Sequence, residues 1–237
     1  MMANDARPKP PLVPPEGGVA RELARMCADH RPPERPVLVV GGWRAPRISA
    51  WRLARHLASL TGAPADRFGA CGIALCWSIE SATARVLREA RASWGDAPLD
   101  VVAISMGGLV ARSAAIEGLA IRRLFTLGTP HRGARLAPWF PIDASTRAMR
   151  PGSAFLARLD AALPTAGYEL VCYARLRDSW VGATRTAPPG RGVIWKPGPL
   201  LLSHHTIALD RLIVADIARR LRGDTALATE ATAPPAD

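Results

Sequence analysis

From Pro36 to Leu221, short apolar runs alternate with segments of helical period. PVLVV (36–40), GIALCW (72–77), LDVVAI (99–104), IRRLFTLG (121–128) and YELVCYA (168–174) have the length of strands, and GVIW (192–195) is a weaker candidate. SAWRLARHLASL (49–60), SIESATARVLREARASW (78–94), MGGLVARSAAIEG (106–118) and HTIALDRLIVADIARRL (205–221) read as helices. Strands that are apolar throughout and separated by helices bury themselves as a parallel sheet covered on both faces, joined by right-handed crossovers. The expected class is therefore α/β, with a mostly parallel central sheet of about six strands and helices on both sides. Ligands in such sheets sit at the carboxyl ends of the strands.

The chain has 237 residues, 49% of them hydrophobic, enough for one well-buried core. Residues 1–35 are expected to form a Pro-rich, partly disordered extension, 36–222 the domain, and 223–237 a disordered tail, with no chemistry assigned to either end. Within the domain, 130–166 interrupts the alternation, is too long for a plain connection, and reads as a cap- or lid-like insertion over the sheet edge.

Composition excludes several function classes. No apolar stretch approaches the roughly 20 residues that cross a bilayer, and the opening residues carry Pro and charge where a signal peptide needs an apolar block. The expected compartment is the cytoplasm. A formal charge of +11 raises nucleic acid or an anionic membrane surface as partners. Lys9 and Lys196 are the only lysines, however, and the arginines are scattered without a long block or an aromatic-interleaved stripe. No nucleic-acid partner is expected. Cys27, Cys71, Cys76 and Cys172 form no C-x-x-C pair and are expected to be buried thiols, not metal ligands or disulfides.

In VVAISMGGLVAR (101–112) an apolar run stops at Ser105 and gives way at once to a helical pattern. A nucleophilic serine on a tight strand-to-helix turn needs small residues two before and two after it, because strand and helix come close there. Ala103 and Gly107 meet that need, although Ala103 stands where a glycine is usual. The same residues also fit a buried serine that caps a helix.

Together with FTLGTPHRG (125–133) and MRPGSAFLARL (149–159), the AISMGGLVAR segment resembles the α/β-hydrolase fold superfamily, specifically its microbial lipase and esterase branch, some of whose members carry Ala-x-Ser-x-Gly. The resemblance covers about Pro36 to Leu221 and implies a Ser, Asp or Glu, His order for a catalytic triad. Ile104, and Gly41 before Gly42, depart from that branch, where histidines are frequent. It implies Ser105 as nucleophile, with backbone N–H groups of Met106 and Trp43 as the oxyanion hole.

The strand YELVCYA leads into RLRDSWVG, where D-x-x-V (178–181) resembles the acid turn of the family and makes Asp178 the orienting acid. Asp143 and Asp160, inside the insertion, are weaker candidates. The base must come near the end of the chain, at His204 or His205. Spacing to Ile207, Ala208 and Asp210 resembles the family pattern from His204 and favours it. Trp43, Met106 and the Trp139–Phe140 segment are expected as apolar walls.

What the resemblance implies is a serine esterase or lipase acting on a small-molecule acyl ester, with no cofactor and no metal. A thioesterase or acyltransferase would use the same residues, and a hydrolase-fold binding module without turnover is the alternative from another class.

Overall fold

A computed structural model describes residues 10–139, 143–228 and 230–235. The chain runs α1 (Gly18–Ala28), β1 (Val37–Val40), α2 (Arg47–Thr61), β2 (Phe68–Cys71), α3 (Ile79–Trp94), β3 (Leu99–Ile104), α4 (Met106–Ile116) and β4 (Ile121–Leu127). It continues through α5 (Ala144–Ala148), α6 (Ala154–Ala162), β5 (Glu169–Arg175), β6 (Ile194–Lys196) and α7 (Arg211–Leu221). The strands form one sheet in the order β2-β1-β3-β4-β5-β6, every neighbouring pair parallel. All carboxyl ends therefore open on one edge.

Side chains alternate across the strands. Val39, Val102 and Phe125 pack with Leu57, Ile213 and Ile217 under α2 and α7, while Leu38, Val101 and Leu124 pack with Val86, Leu109 and Val110 under α3 and α4. A strand apolar at every position is thus buried on both faces, which is why the sequence runs lack polar alternation.

Several expectations are corrected. GIALCW does not form a strand: the chain leaves the sheet at Cys71, and in the following turn Ile73 is buried while Leu75 and Trp77 are exposed. The strand is the less apolar FGAC, whose Gly69 leaves room for the Trp94 ring. The expected helix over 205–221 is broken. Residues 207–209 make a single tight turn, and Asp210 caps α7 by accepting from the Leu212 and Ile213 N–H groups.

Nor do the ends stand apart. Helix α1 buries Leu23 and Met26, and Leu12 packs into the same core. Past α7, Asp224 pairs with Arg222, Arg25 and Arg31, Ala228 is buried, and Thr232 bridges Val193 in antiparallel fashion. Low apolar content hid these contacts, which rest on ion pairs and single anchor residues. Cys71 and Cys172 are buried, but Cys27 is exposed on α1, where the opposite face of the helix meets the core. No helix among the described residues is long and apolar enough to cross a membrane.

Candidate active site

Ser105 joins β3 to α4 with φ 51° and ψ −125°, a left-handed conformation that costs a non-glycine residue of order 1–3 kcal/mol and persists only when its surroundings enforce it. Those surroundings are on both sides. The Ser105 N–H donates to the Leu127 carbonyl at 2.8 Å, and the Thr129 hydroxyl donates to the Ser105 carbonyl at 2.7 Å. A side chain on Gly107 would collide with the Gly41 and Val40 carbonyls, and one on Gly108 with Thr129. Ala103 is fully buried in the α3 and α4 core. The two glycines are therefore a packing requirement of the turn, which lets α4 start immediately behind the serine.

His204 Nε2 lies 3.0 Å from Ser105 Oγ, and its Nδ1 lies 2.7 Å from Asp178 Oδ2. Asp178 follows β5, its side chain wholly buried, and its other oxygen accepts from the Trp180 and Val181 N–H groups, each at 3.0 Å. With one carboxylate oxygen committed to the turn, the second is fixed toward the imidazole. Trp180 lies parallel to the His204 ring at 6.1 Å and meets His205 edge-on at 4.8 Å. His205 is exposed.

The loop that carries His204 is fastened from below. Arg175, buried at the end of β5, donates to the Ser203 carbonyl, to the Thr206 hydroxyl and, through two nitrogens, to Asp210 Oδ2. Lys196 completes the charge balance on Asp210. Burial opposes ionisation of Asp210, but Arg175 and Lys196 outweigh it and hold its carboxyl below the ordinary range.

Opposite Ser105 runs the loop after β1. A Cβ on Gly42 would stand 3.3 Å from Ser105 Cβ, so this loop passes directly against the serine. Trp43 follows, and its indole N–H donates to Asp143 Oδ2 at 3.0 Å. Arg44, itself at φ 50°, reaches the same oxygen at 3.4 Å, and Asp143 Oδ1 accepts the Thr146 N–H as the cap of α5. Burial raises the Asp143 pKa, but the Thr146, Trp43 and Arg44 donors prevail, leaving it below the ordinary aspartate value. Asp143 thus ties the insertion to the loop facing Ser105. Its sequence context, a lone acid among Pro and aromatic residues, gave no sign of that.

A cleft of about 610 Å³ opens beside Ser105 and His204, walled by Trp43, Leu136, Ala137, Met149, Trp180 and Val181. Trp43 is a wall as expected, but the Met106 side chain points into the core, leaving only its backbone near the site. Trp139 is 80% exposed and outside the wall, and Phe140 lies outside the described residues. Asp160 instead pairs with Arg112, away from His204. Among the described residues no cluster of His, Cys, Asp and Glu is arranged to hold a metal ion.

No family model matches the sequence, and no curated relative was found. Solved structures do match. Mature lipase BlEst2 from Bacillus licheniformis aligns over 81% of this chain and 94% of its own at 18% identity and a TM-score of 0.61. Its propeptide form aligns over 87% and 54% at a TM-score of 0.64. Phospholipase PlaB from Legionella pneumophila aligns over 79% of this chain and 60% of its own at 12% identity and a TM-score of 0.62. With the six-stranded parallel sheet, these likenesses establish the α/β-hydrolase fold.

Proposed function

We propose that this chain is a serine hydrolase that cleaves carboxylic esters through an acyl-enzyme. The observation that carries the reading is the continuous line from Ser105 Oγ through both His204 nitrogens to a buried carboxylate, 3.0 Å and 2.7 Å long, on a serine held at positive φ. A buried serine that merely capped a helix would not need the base, and its side chain makes no cap bond to α4.

The steps follow from those positions. Ser105 Oγ attacks the acyl carbon as His204 Nε2 takes its proton, and Asp178 steadies the imidazolium through Nδ1–H. Negative charge then collects on the former carbonyl oxygen. Its donors are the Met106 N–H, the first of α4 with that helix's positive end behind it, and the Trp43 N–H across the cleft. The tetrahedral species collapses, the C–O bond breaks, and Nε2 returns the proton to the departing alcohol. Water then enters, loses a proton to Nε2, and releases the acid by the same sequence in reverse roles. The apolar walls suit the acyl portion of the ester. Structural neighbours of this fold include lipases and a phospholipase by name, which fits an acyl ester substrate.

The test is covalent labelling with a fluorophosphonate probe alongside turnover of a p-nitrophenyl ester. Wild type labels and turns over; Ser105→Ala does neither while remaining folded. His204→Ala lowers kcat by roughly 10⁴-fold, since the oxyanion donors and binding remain, and His205→Ala costs far less. Equal labelling of wild type and Ser105→Ala overturns the reading.

A further inference from the structure

Charge and exposed apolar surface, scattered along the sequence, segregate in the fold. Among the described residues, every large exposed apolar side chain except Val13 and Ile116 lies on a loop at the carboxyl edge of the sheet or in the opening turns of the helix beyond it. Leu75, Leu200, Leu201 and Trp139 are the most prominent, at 83%, 81%, 81% and 80% exposure. Leu202, also exposed, is held at φ 55°, a strained setting for a leucine two residues before His204.

The same loops carry exposed Arg44, Arg47, Arg132, Arg135 and Arg177, whereas their carboxylates, Asp143, Asp178 and Asp210, are all buried and bonded. Glu80, in the first turn of α3, is the exposed acid at the margin. Exposed Glu34, Asp66, Asp96 and Glu117 occupy the opposite edge, among further arginines. Apart from Glu80 at the margin, the mouth of the cleft is therefore ringed by apolar prominences and exposed cations.

We propose that this edge docks on an anionic phospholipid bilayer, with the cleft facing the lipid. A positive ring meets negative headgroups while tryptophan and leucine enter the boundary between headgroups and acyl chains. Charge selects this occupant over others. A second copy of the chain would bring two positive faces together, and a nucleic acid would gain nothing from protruding leucines. The inference concerns the surface and stands apart from the chemistry at Ser105.

Ser105→Ala protein, which cannot consume lipid on the proposed mechanism, is sedimented with phosphatidylglycerol and with phosphatidylcholine vesicles. It binds the first far more tightly, and added salt weakens that binding. Leu200→Ser/Leu201→Ser weakens it at least tenfold by removing buried apolar area. Arg135→Gln/Arg177→Gln weakens it roughly thirtyfold, at about fivefold per charge. Arg88→Gln/Arg91→Gln, an equal change of net charge toward the opposite end of α3, leaves it nearly unchanged. Equal loss from that control, equal binding to both vesicle types, or a dimer in solution dissolved by the leucine variant would each overturn the proposal.

Discussion

Asp143 is the residue whose importance was least visible in the sequence, because Trp43 and Arg44, which converge on one of its oxygens, lie about a hundred positions away; only Thr146, which takes the other, is local. If the Trp43 N–H is an oxyanion donor, the carboxylate acts by holding that loop in place. Asp143→Ala should then lower kcat by on the order of 10²-fold with little change in KM, the signature of an interaction made only in the transition state. Asp143→Asn, whose amide oxygen still accepts from the indole, should recover most of the loss in steady-state assays. Ser105, Asp178 and His204 were legible for the opposite reason. Ser105 and Asp178 each sit just past a strand with an apolar run that announces it, whereas His204, eight positions beyond β6, was singled out by its place near the end of the sequence and its spacing to Ile207, Ala208 and Asp210; the fold brings the three side chains together. Trp180 and Arg175, which orient the imidazole and its loop, carry no local signal, since only the folded path brings them there.

Strands and helices with strong period were readable, and those whose stability is borrowed from neighbours were not. FGAC is too small to look like a strand, and α1 shows only Leu23 and Met26 as deeply buried apolar side chains. The insertion is fixed by a buried polar contact that no periodicity reveals. Arg112, on α4, donates to the Leu159 carbonyl and to Asp160 of α6, and lies 3.1 Å from His131 Nδ1, whose other nitrogen meets the Thr126 hydroxyl at 3.2 Å. Complete burial, and then the neighbouring guanidinium, hold His131 neutral and push its pKa well below 6.5. The unfolded chain therefore binds the extra proton first, so stability is full above about pH 6.5 and declines as pH falls below it. Urea midpoints measured from pH 7.5 to 5.5 should show that decline, and His131→Gln should flatten it by removing this residue's share.

Across the whole molecule, the described residues that flank the sheet domain on both sides prove to be structural. Asp216, fully buried in α7, accepts from the Tyr173 hydroxyl and from the Leu227 and Ala228 N–H groups, so removing residues 224–237 would strip two donors from a buried carboxylate. Such an unsatisfied group typically costs about 1–3 kcal/mol, more when charged, and the truncated protein should melt several degrees lower by calorimetry. Thr232 has a second effect, through its antiparallel bridge to Val193 and its hydroxyl's hold on the Trp195 indole. β6 ends the sheet on that side, and a terminal strand with unpaired amides is a template on which other molecules can add. The tail is in this sense a sheath. Without it, the row beside Val193 to Trp195 would be open to strand-by-strand growth, and light scattering during refolding of concentrated truncated protein should rise where the full chain stays clear.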